Sequence, residues 1–265
     1  TLLQLIPGSR TPIIGLTGPP GAGKSTLTDA LINQFVQGGK KIGVLCVDPS
    51  SPFNLGSLLG DRIRMSRWYN NPDVFIRSLA TRGSLGGLHP KIIEISDLMK
   101  TAGFDVIIVE TVGVGQSEIE IAGLADVTAV VLVPEAGDDV QSMKAGLMEI
   151  ADLFIVNKSD RPDAELFVNN LKLMLAPAFS RRTEEVPVVK TIASRNEGIS
   201  ELYHLILAKA GKQKINSRHF WLLAEKAYYL IQQKRMAGID KADLKKKIET
   251  SGNEFNLYSF IREYY

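Results

Sequence analysis

One cysteine and three histidines among 265 residues exclude two kinds of chemistry. Cys46 alone cannot support an internal disulfide framework, which fits a reducing compartment. In its apolar stretch it reads as a buried side chain. His89, His204 and His219 follow no metal-ligand spacing and read as surface or helix-cap residues. An excess of either charge is also lacking. The net charge of +2 gives no case for nucleic acid or a membrane surface as a partner. Lys245-Lys246-Lys247 reads as a solvated helix face. Long hydrophobic runs are missing too: stretches such as 104–109 and 127–133 are too short to cross a bilayer. Residue 1 is Thr rather than Met, and no signal peptide follows. A chain trimmed at its start and a cytoplasmic location are therefore expected.

What is present is a globular composition, 45% apolar and 23% charged, with ample material for a core. The length suits one large domain, or one domain with an appendage. Strand and helix patterns alternate through most of it. Strands are predicted at 12–17, 41–47, 104–110, 128–133, 153–156 and 186–189. Helices are predicted at 24–36, 90–101, 141–150, 162–175 and 199–210. Strands that read as unbroken apolar runs are buried on both faces, so they belong to a parallel sheet covered by helices. The expected fold is α/β: a doubly wound domain with a mostly parallel sheet over residues 1–210. Near residue 211 the strands stop. Phe220, Leu223, Ala224, Ala227, Leu230 and Ile231 recur at helical spacing. Further helices are plausible at 241–250 and 256–264. Residues 211–265 thus read as a helical extension, either packed on its own domain or used in self-association.

Gly18-Pro19-Pro20-Gly21-Ala22-Gly23-Lys24-Ser25 matches the P-loop pattern, after a strand and opening a helix. Its glycines let successive N–H groups turn inward around phosphate oxygens, and the helix N-terminus adds positive dipole. Gly21, Ala22, Gly23, Lys24, Ser25 and Thr26 are therefore the expected nucleotide cradle. Lys24 would reach the β- and γ-phosphates, and Ser25 would ligate Mg²⁺.

Asn157-Lys158-Ser159-Asp160 follows a predicted strand about 130 residues beyond the P-loop. It is the guanine-reading pattern of GTPases. Asp160 can accept hydrogen bonds from N1–H and the exocyclic amine of guanine, which adenine cannot supply. A site built on such donors rejects the wrong analogue by roughly 10⁴-fold. Asn157 would tie this loop to the P-loop, and the stem of Lys158 would cover the base. GTP or GDP is the expected ligand.

Glu110-Thr111-Val112-Gly113 closes the most apolar strand. There, P-loop NTPases carry an acid near Mg²⁺ and a glycine whose N–H senses the γ-phosphate. Glu is one methylene longer than the usual Asp, so direct and water-mediated contact with the metal are both open. Asp48, at the end of the second predicted strand, and Asp61, in Gly60-Asp61-Arg62, are further candidates beside Mg²⁺, which takes one or two carboxylates from a protein.

Together these stretches resemble the MeaB/ArgK family of GTPases, which chaperone cobalamin-dependent acyl-CoA mutases. The resemblance rests on residues 18–26, on Asp48-Pro49-Ser50-Ser51 and on Leu59-Gly60-Asp61-Arg62-Ile63-Arg64-Met65. It continues through Arg82-Gly83-Ser84-Leu85-Gly86-Gly87, residues 110–118 and residues 157–160, so it spans about residues 12–210. The run Glu110-Thr111-Val112-Gly113-Val114-Gly115-Gln116-Ser117-Glu118 is its most distinctive part, and Glu110 is the family's own variant. The resemblance implies a signal-recognition-type P-loop fold and a homodimer joined through a C-terminal helical arm. It also implies GTP hydrolysis coupled to loading, protection or repair of the cobalamin of methylmalonyl-CoA mutase or a close relative. Asp48, Asp61 and Glu110 match acidic positions around magnesium and the γ-phosphate. Residues 134–144 match a mobile segment that responds to the mutase, with Lys144 a candidate nucleotide contact during activation. Two departures stand out. The family's final guanine motif is usually Ser-Ala; here it is Ile192-Ala193, so the Ala193 N–H can still serve guanine O6 while a hydroxyl is lost. Helices usually precede the P-loop strand, where this chain has only about a dozen residues.

Two other roles compete. One is an accessory nucleotidase or kinase of a lysine/arginine/ornithine transport system. Asn157–Asp160 speaks against ATP, and nothing resembles an amino-acid site or a protein-kinase catalytic loop. The other is a nickel-chaperone GTPase of hydrogenase or urease, which the lack of a Cys/His-rich tract disfavours.

Overall fold

The apolar runs become the strands of one seven-stranded, all-parallel sheet. The computed structural model describes residues 11–48, 65–81, 88–89, 91–111, 113, 117–136, 145–176, 185–211, 217–251 and 255–264. In chain order the nucleotide-type unit contains β1 (Ile13–Thr17), α1 (Lys24–Gln37), β2 (Ile42–Asp48), β3 (Val74–Ala80), α2 (Ile92–Lys100) and β4 (Val106–Glu110). It continues with α3 (Ser117–Leu124), β5 (Val127–Leu132), α4 (Ala145–Ile150), β6 (Leu153–Asn157), α5 (Ala164–Leu175), β7 (Val188–Thr191) and α6 (Ile199–Ala210). The strand order β3-β2-β4-β1-β5-β6-β7 makes β1 central. The chain runs outward from β1 in both directions. Such an order opens a crevice at the carboxyl ends of the middle strands, where ligands of open α/β sheets bind.

Helices cover both faces, as the expectation of a doubly wound α/β domain requires. On one face Leu27, Leu31 and Phe35 of α1 and Ile199, Leu202 and Ile206 of α6 pack on Ile14, Leu16, Val44, Ile108 and Val131. On the other, Ile92 and Met99 of α2 meet Leu45, Ile107 and Val109, and Phe167 and Leu171 of α5 meet Val130, Phe154 and Val156. Each such aliphatic or aromatic side chain contributes about 1.5–3 kcal/mol when fully buried.

Two elements were not predicted from sequence. β3 sits at the sheet edge, where it has no continuous apolar run: Val74 and Ile76 are half-buried while Phe75 and Arg77 are exposed. α3 is eight residues long and follows the glycine-rich stretch that reads as a loop. β7 lies two residues later than the apolar run suggested, because its pairing with β6 sets Thr191 opposite Asn157.

The chain divides into two compact units, Thr1–Asn216 and Ser217–Tyr265. The second is helical: α7 (Ser217–Met236), α8 (Lys241–Thr250) and α9 (Leu257–Ile261). Asp240 caps α8 by accepting from the Ala242 N–H at 2.6 Å, and Asn256 caps α9 by accepting from the Ser259 N–H at 3.0 Å. No side chain of α8 or α9 is buried.

At the opposite end of the sheet from the crevice, Asp105 joins the starts of β2 and β4. Its carboxylate accepts from the Lys41 N–H at 2.8 Å and the Lys40 ammonium at 3.0 Å. The Lys41 N–H holds this carboxyl below its ordinary value, with Lys40 in support and against the opposing effect of partial burial. A depressed carboxylate stabilises the fold above its unfolded pKa, and that stabilisation fades as pH falls through the folded value. Asp105→Asn is expected to lower stability at neutral pH and to flatten the acid limb below about pH 4. Urea unfolding measured from pH 7 to pH 3 checks this; parallel pH curves for the two proteins would contradict it.

Candidate nucleotide site

The P-loop leaves β1 at Thr17 and turns back on itself, with the Ala22 N–H donating to the Pro19 carbonyl at 3.3 Å. Gly23 caps α1 in the left-handed region, at φ 88°. A side chain there would be strained, and its Cβ would strike the carboxamide of Asn157. The N-terminal end of α1, where the helix dipole is positive, is attractive to an anion. Lys24 is buried despite its charge. Its ammonium donates to the Gly18 carbonyl at 2.8 Å and the Pro19 carbonyl at 3.0 Å, which fixes it against the loop. Gly113, at φ 86°, lies so close that a Cβ would stand 2.6 Å from Lys24 Nζ. The backbone after β4 thus reaches the mouth of the P-loop, as a γ-phosphate sensor must. The buried hydroxyls of Thr111 and Thr17, 3.0 Å apart, hold the ends of β4 and β1 together.

Glu110 ends β4 and is 4% exposed. Both its carboxylate oxygens are engaged from α1: Ser25 Oγ donates to Oε1 at 2.7 Å and Thr28 Oγ1 donates to Oε2 at 2.8 Å. Asp48 closes β2 two residues past Cys46, which pairs with Glu110. The hard oxygen donors of Ser25 and Glu110 suit Mg²⁺. Among the described residues no group of three or more His, Cys, Asp or Glu could hold a metal by itself. The donor set therefore fits an ion that draws further ligands from phosphate and water, with Ser25 as the protein oxygen in view and Glu110 bonded to its hydroxyl.

The guanine-type loop leaves β6 at Asn157, which is buried at 2% exposure. Its Nδ2 donates to the Ala22 carbonyl at 2.9 Å. Its Oδ1 accepts from Thr191 Oγ1 and from the Ala193 N–H, each at 3.1 Å. The bond from Nδ2 is the tie to the P-loop that the sequence anticipates. The Ala193 N–H, anticipated for guanine O6, is here given to Asn157. Lys158 adopts φ 57° and sends its ammonium 2.8 Å from the Gly21 carbonyl, so its stem spans from one loop to the other. Ser159 closes the turn through the Val156 carbonyl at 2.6 Å. Asp160 keeps 35% exposure and pairs with Arg195 at 3.3 Å.

The structure thus brings Gly21, Ala22, Gly23, Lys24, Ser25, Glu110, Gly113, Asn157, Lys158, Asp160 and Ala193 to one edge of the sheet. Thr26 follows on α1 and is exposed. Asp61 and Lys144 lie outside the described residues. Sequence reasoning missed Thr28, Arg195, and the ion pair of Arg161 with Glu135. Thr28 was detectable in principle: it stands one helical turn after Lys24 and three residues after Ser25, on the side of α1 that meets β4.

Comparison with known proteins identifies the family and the fold. The family model for the methylmalonyl-CoA mutase-associated GTPase MeaB matches residues 2–232. A protein of Pyrococcus horikoshii named as a GTPase is 45% identical over 92% of this chain and 76% of its own length. GTPase ArgK of Escherichia coli is 42% identical over 73% of this chain and 60% of its own. The mouse mitochondrial homologue of the methylmalonic aciduria type A protein is 40% identical, over 72% of this chain and 47% of its own. Among solved structures, one described as a LAO/AO transport system kinase superposes with a TM-score of 0.66 at 26% identity. It covers 99% of this chain and 83% of its own. The nickel-bound HypB of Helicobacter pylori, TM-score 0.57 at 20% identity, shares the fold. No described helix is long and apolar enough to cross a membrane.

If Asn157 is the tie that the distances indicate, removing it leaves buried partners unmatched. Asn157→Ala is expected to cost about 3 kcal/mol and to lower Tm by roughly 6–12 °C for a unit of this size. Calorimetry of the nucleotide-free protein measures it, and an unchanged Tm would refute the tie.

Proposed function

Because this chain belongs to the MeaB family of GTPases, we propose that it uses a slow, magnesium-dependent GTP cycle to assist a cobalamin-dependent acyl-CoA mutase. The assistance would be loading, protection or repair of the mutase cofactor. One observation carries the nucleotide reading: a carboxamide at Asn157 links the P-loop to the loop bearing Asp160. Base recognition and phosphate binding then belong to one rigid assembly.

In this reading the P-loop N–H groups and Lys24 hold the β- and γ-phosphates, and Gly113 senses the γ-phosphate. Magnesium, when bound, neutralises charge that develops on the transferred phosphoryl group. Ser25 would supply a protein oxygen to it. Glu110 would take the Ser25 proton as a hydrogen bond, turning the hydroxyl's lone pairs outward, and so act beside the metal rather than on it. Asp48 and Asp61 would complete the acidic surround. Catalysis then rests on positioning and electrostatics, with no strong general base, so intrinsic turnover is slow. Asp160 accepts the guanine N1–H and amine, with Arg195 keeping its carboxylate in place.

Slow turnover is useful when a partner controls it. The stretch from Gly113 onward and the segment 134–144 are the proposed control elements, with Lys144 reaching the nucleotide on activation. A partner that prefers one arrangement shifts the equilibrium, and nucleotide must shift partner affinity in return. The helical unit from Ser217 onward would join two chains into a homodimer, in the cytoplasm. The relative described as a transport-system kinase keeps a second role in play, as an accessory of amino-acid uptake. A pull-down read for a mutase or a permease separates the two.

Two outcomes follow. Calorimetry is expected to give GDP an affinity at least roughly a hundredfold above ADP, with Asp160→Asn moving preference toward xanthine nucleotides. Equal affinities would end the guanine reading. Addition of the mutase from the same organism is expected to accelerate GTP hydrolysis at least roughly tenfold, about 1.4 kcal/mol of barrier. Lys144→Ala should reduce that acceleration more than it reduces nucleotide binding. No change in rate, with no nucleotide-dependent complex, would remove the chaperone role and leave the GTPase.

A further inference from the structure

Thr28 is a buried polar side chain on α1 that the nucleotide chemistry does not call for. It lies one turn beyond the P-loop and is fully buried. Its hydroxyl has two acceptors within reach: the Lys24 carbonyl at 3.0 Å, one turn back, and Glu110 Oε2 at 2.8 Å. A hydroxyl has one proton to give. The carboxylate is closer and charged, so it is the stronger acceptor. A threonine that merely satisfied itself in a helix would bond the preceding turn and stop there. This one is aimed across to the end of β4.

The consequence falls on Glu110. Its side chain is longer than Asp by one methylene and has one more torsion to fix. Ser25 holds one oxygen and Thr28 the other, so the carboxylate is clamped at both ends from successive sites on one helix. With Oε2 occupied, Oε1 alone is turned to Ser25. We propose that Thr28 is a positioning residue for magnesium: it locks Glu110 in the rotamer that orients the Ser25 hydroxyl toward the metal. Thr28 touches neither metal nor nucleotide in this arrangement. It acts through Glu110, as outer partners of metal sites do, whose loss typically weakens metal binding 10–100-fold. This rests on the reading of Ser25 and Glu110 as the magnesium end of the site.

The test is the magnesium dependence of fluorescent GDP dissociation from the full chain, with GDP affinity in excess chelator as the control. Thr28→Val keeps the shape and removes the donor. It is expected to raise the half-saturating magnesium concentration by about tenfold or more and to leave affinity in chelator within about twofold. Thr28→Ser, which retains the hydroxyl, is expected to restore the wild-type requirement. If the valine protein does not fold, Thr28→Ala carries the same expectation. A magnesium requirement equal to wild type in a folded, GDP-binding Thr28→Val or Thr28→Ala protein would overturn the proposal. So would a serine variant that behaves like valine. Failure of the underlying reading looks different, since the wild-type protein would then show no magnesium effect on GDP at all.

Discussion

The carboxamide of Asn157 is the constraint on which the rest of the nucleotide site depends. A buried polar group must find partners, and this one finds three in different parts of the chain: the P-loop at Ala22, the end of β7 at Thr191, and the turn that follows at Ala193. The amide both donates and accepts at this spot. A carboxylate would face the Ala22 carbonyl with no proton to offer, and an apolar side chain would leave all three groups unsatisfied. The close approach also dictates Gly23, because any Cβ there collides with the carboxamide. One residue thus requires another 134 positions earlier, a separation given by their numbering.

That tie sorts the site into parts held strongly and parts held weakly. The P-loop, the end of β6 and the turn after β7 are joined by hydrogen bonds shielded from water. The links around them are exposed. Arg195 and Asp160 are 59% and 35% exposed, and Arg161 and Glu135 are 44% and 48% exposed. Pairs of that kind contribute at most about 1 kcal/mol. Glu135 belongs to the short turn after β5, at the start of the segment proposed to answer a partner. A link of that strength can align such a segment without holding it against a competing surface.

How far the sequence disclosed this follows from what each feature needs. The P-loop and the guanine loop are local strings, so Gly18 to Ser25 and Asn157 to Asp160 were legible at once, as were the buried strands with their unbroken apolar runs. β3 was not, because an edge strand is wetted and its apolar residues are broken by Arg77 and Ser78. The contact of Thr28 with Glu110 was not, because it joins positions far apart and depends on where α1 lies on β4. The use of the Ala193 N–H was read for the ligand alone, whereas packing gives it an internal acceptor at Asn157. Asp61 was read as a carboxylate for magnesium and Lys144 from family likeness, and the described residues reach neither.

The helical unit, Ser217–Tyr265, poses the remaining physical question, which is what makes it worth folding. α8 and α9 bury no side chain, and Tyr228, Tyr258, Leu257 and Ile231 are each more than half exposed. Among the described residues its own cohesion comes from caps and from a small aromatic cluster, Phe255, Phe260 and Tyr264, with Lys247 donating to the Tyr264 hydroxyl at 3.0 Å. Chains near this size are marginal when they must bury their core alone. Helices that cannot bury a face within their own unit gain most of their stability by packing against something else. A second copy of the same chain is an economical cover, since one apolar stripe then meets its own image about a two-fold axis. That is the physical reason for preferring the proposed dimer to a free-standing helical tail.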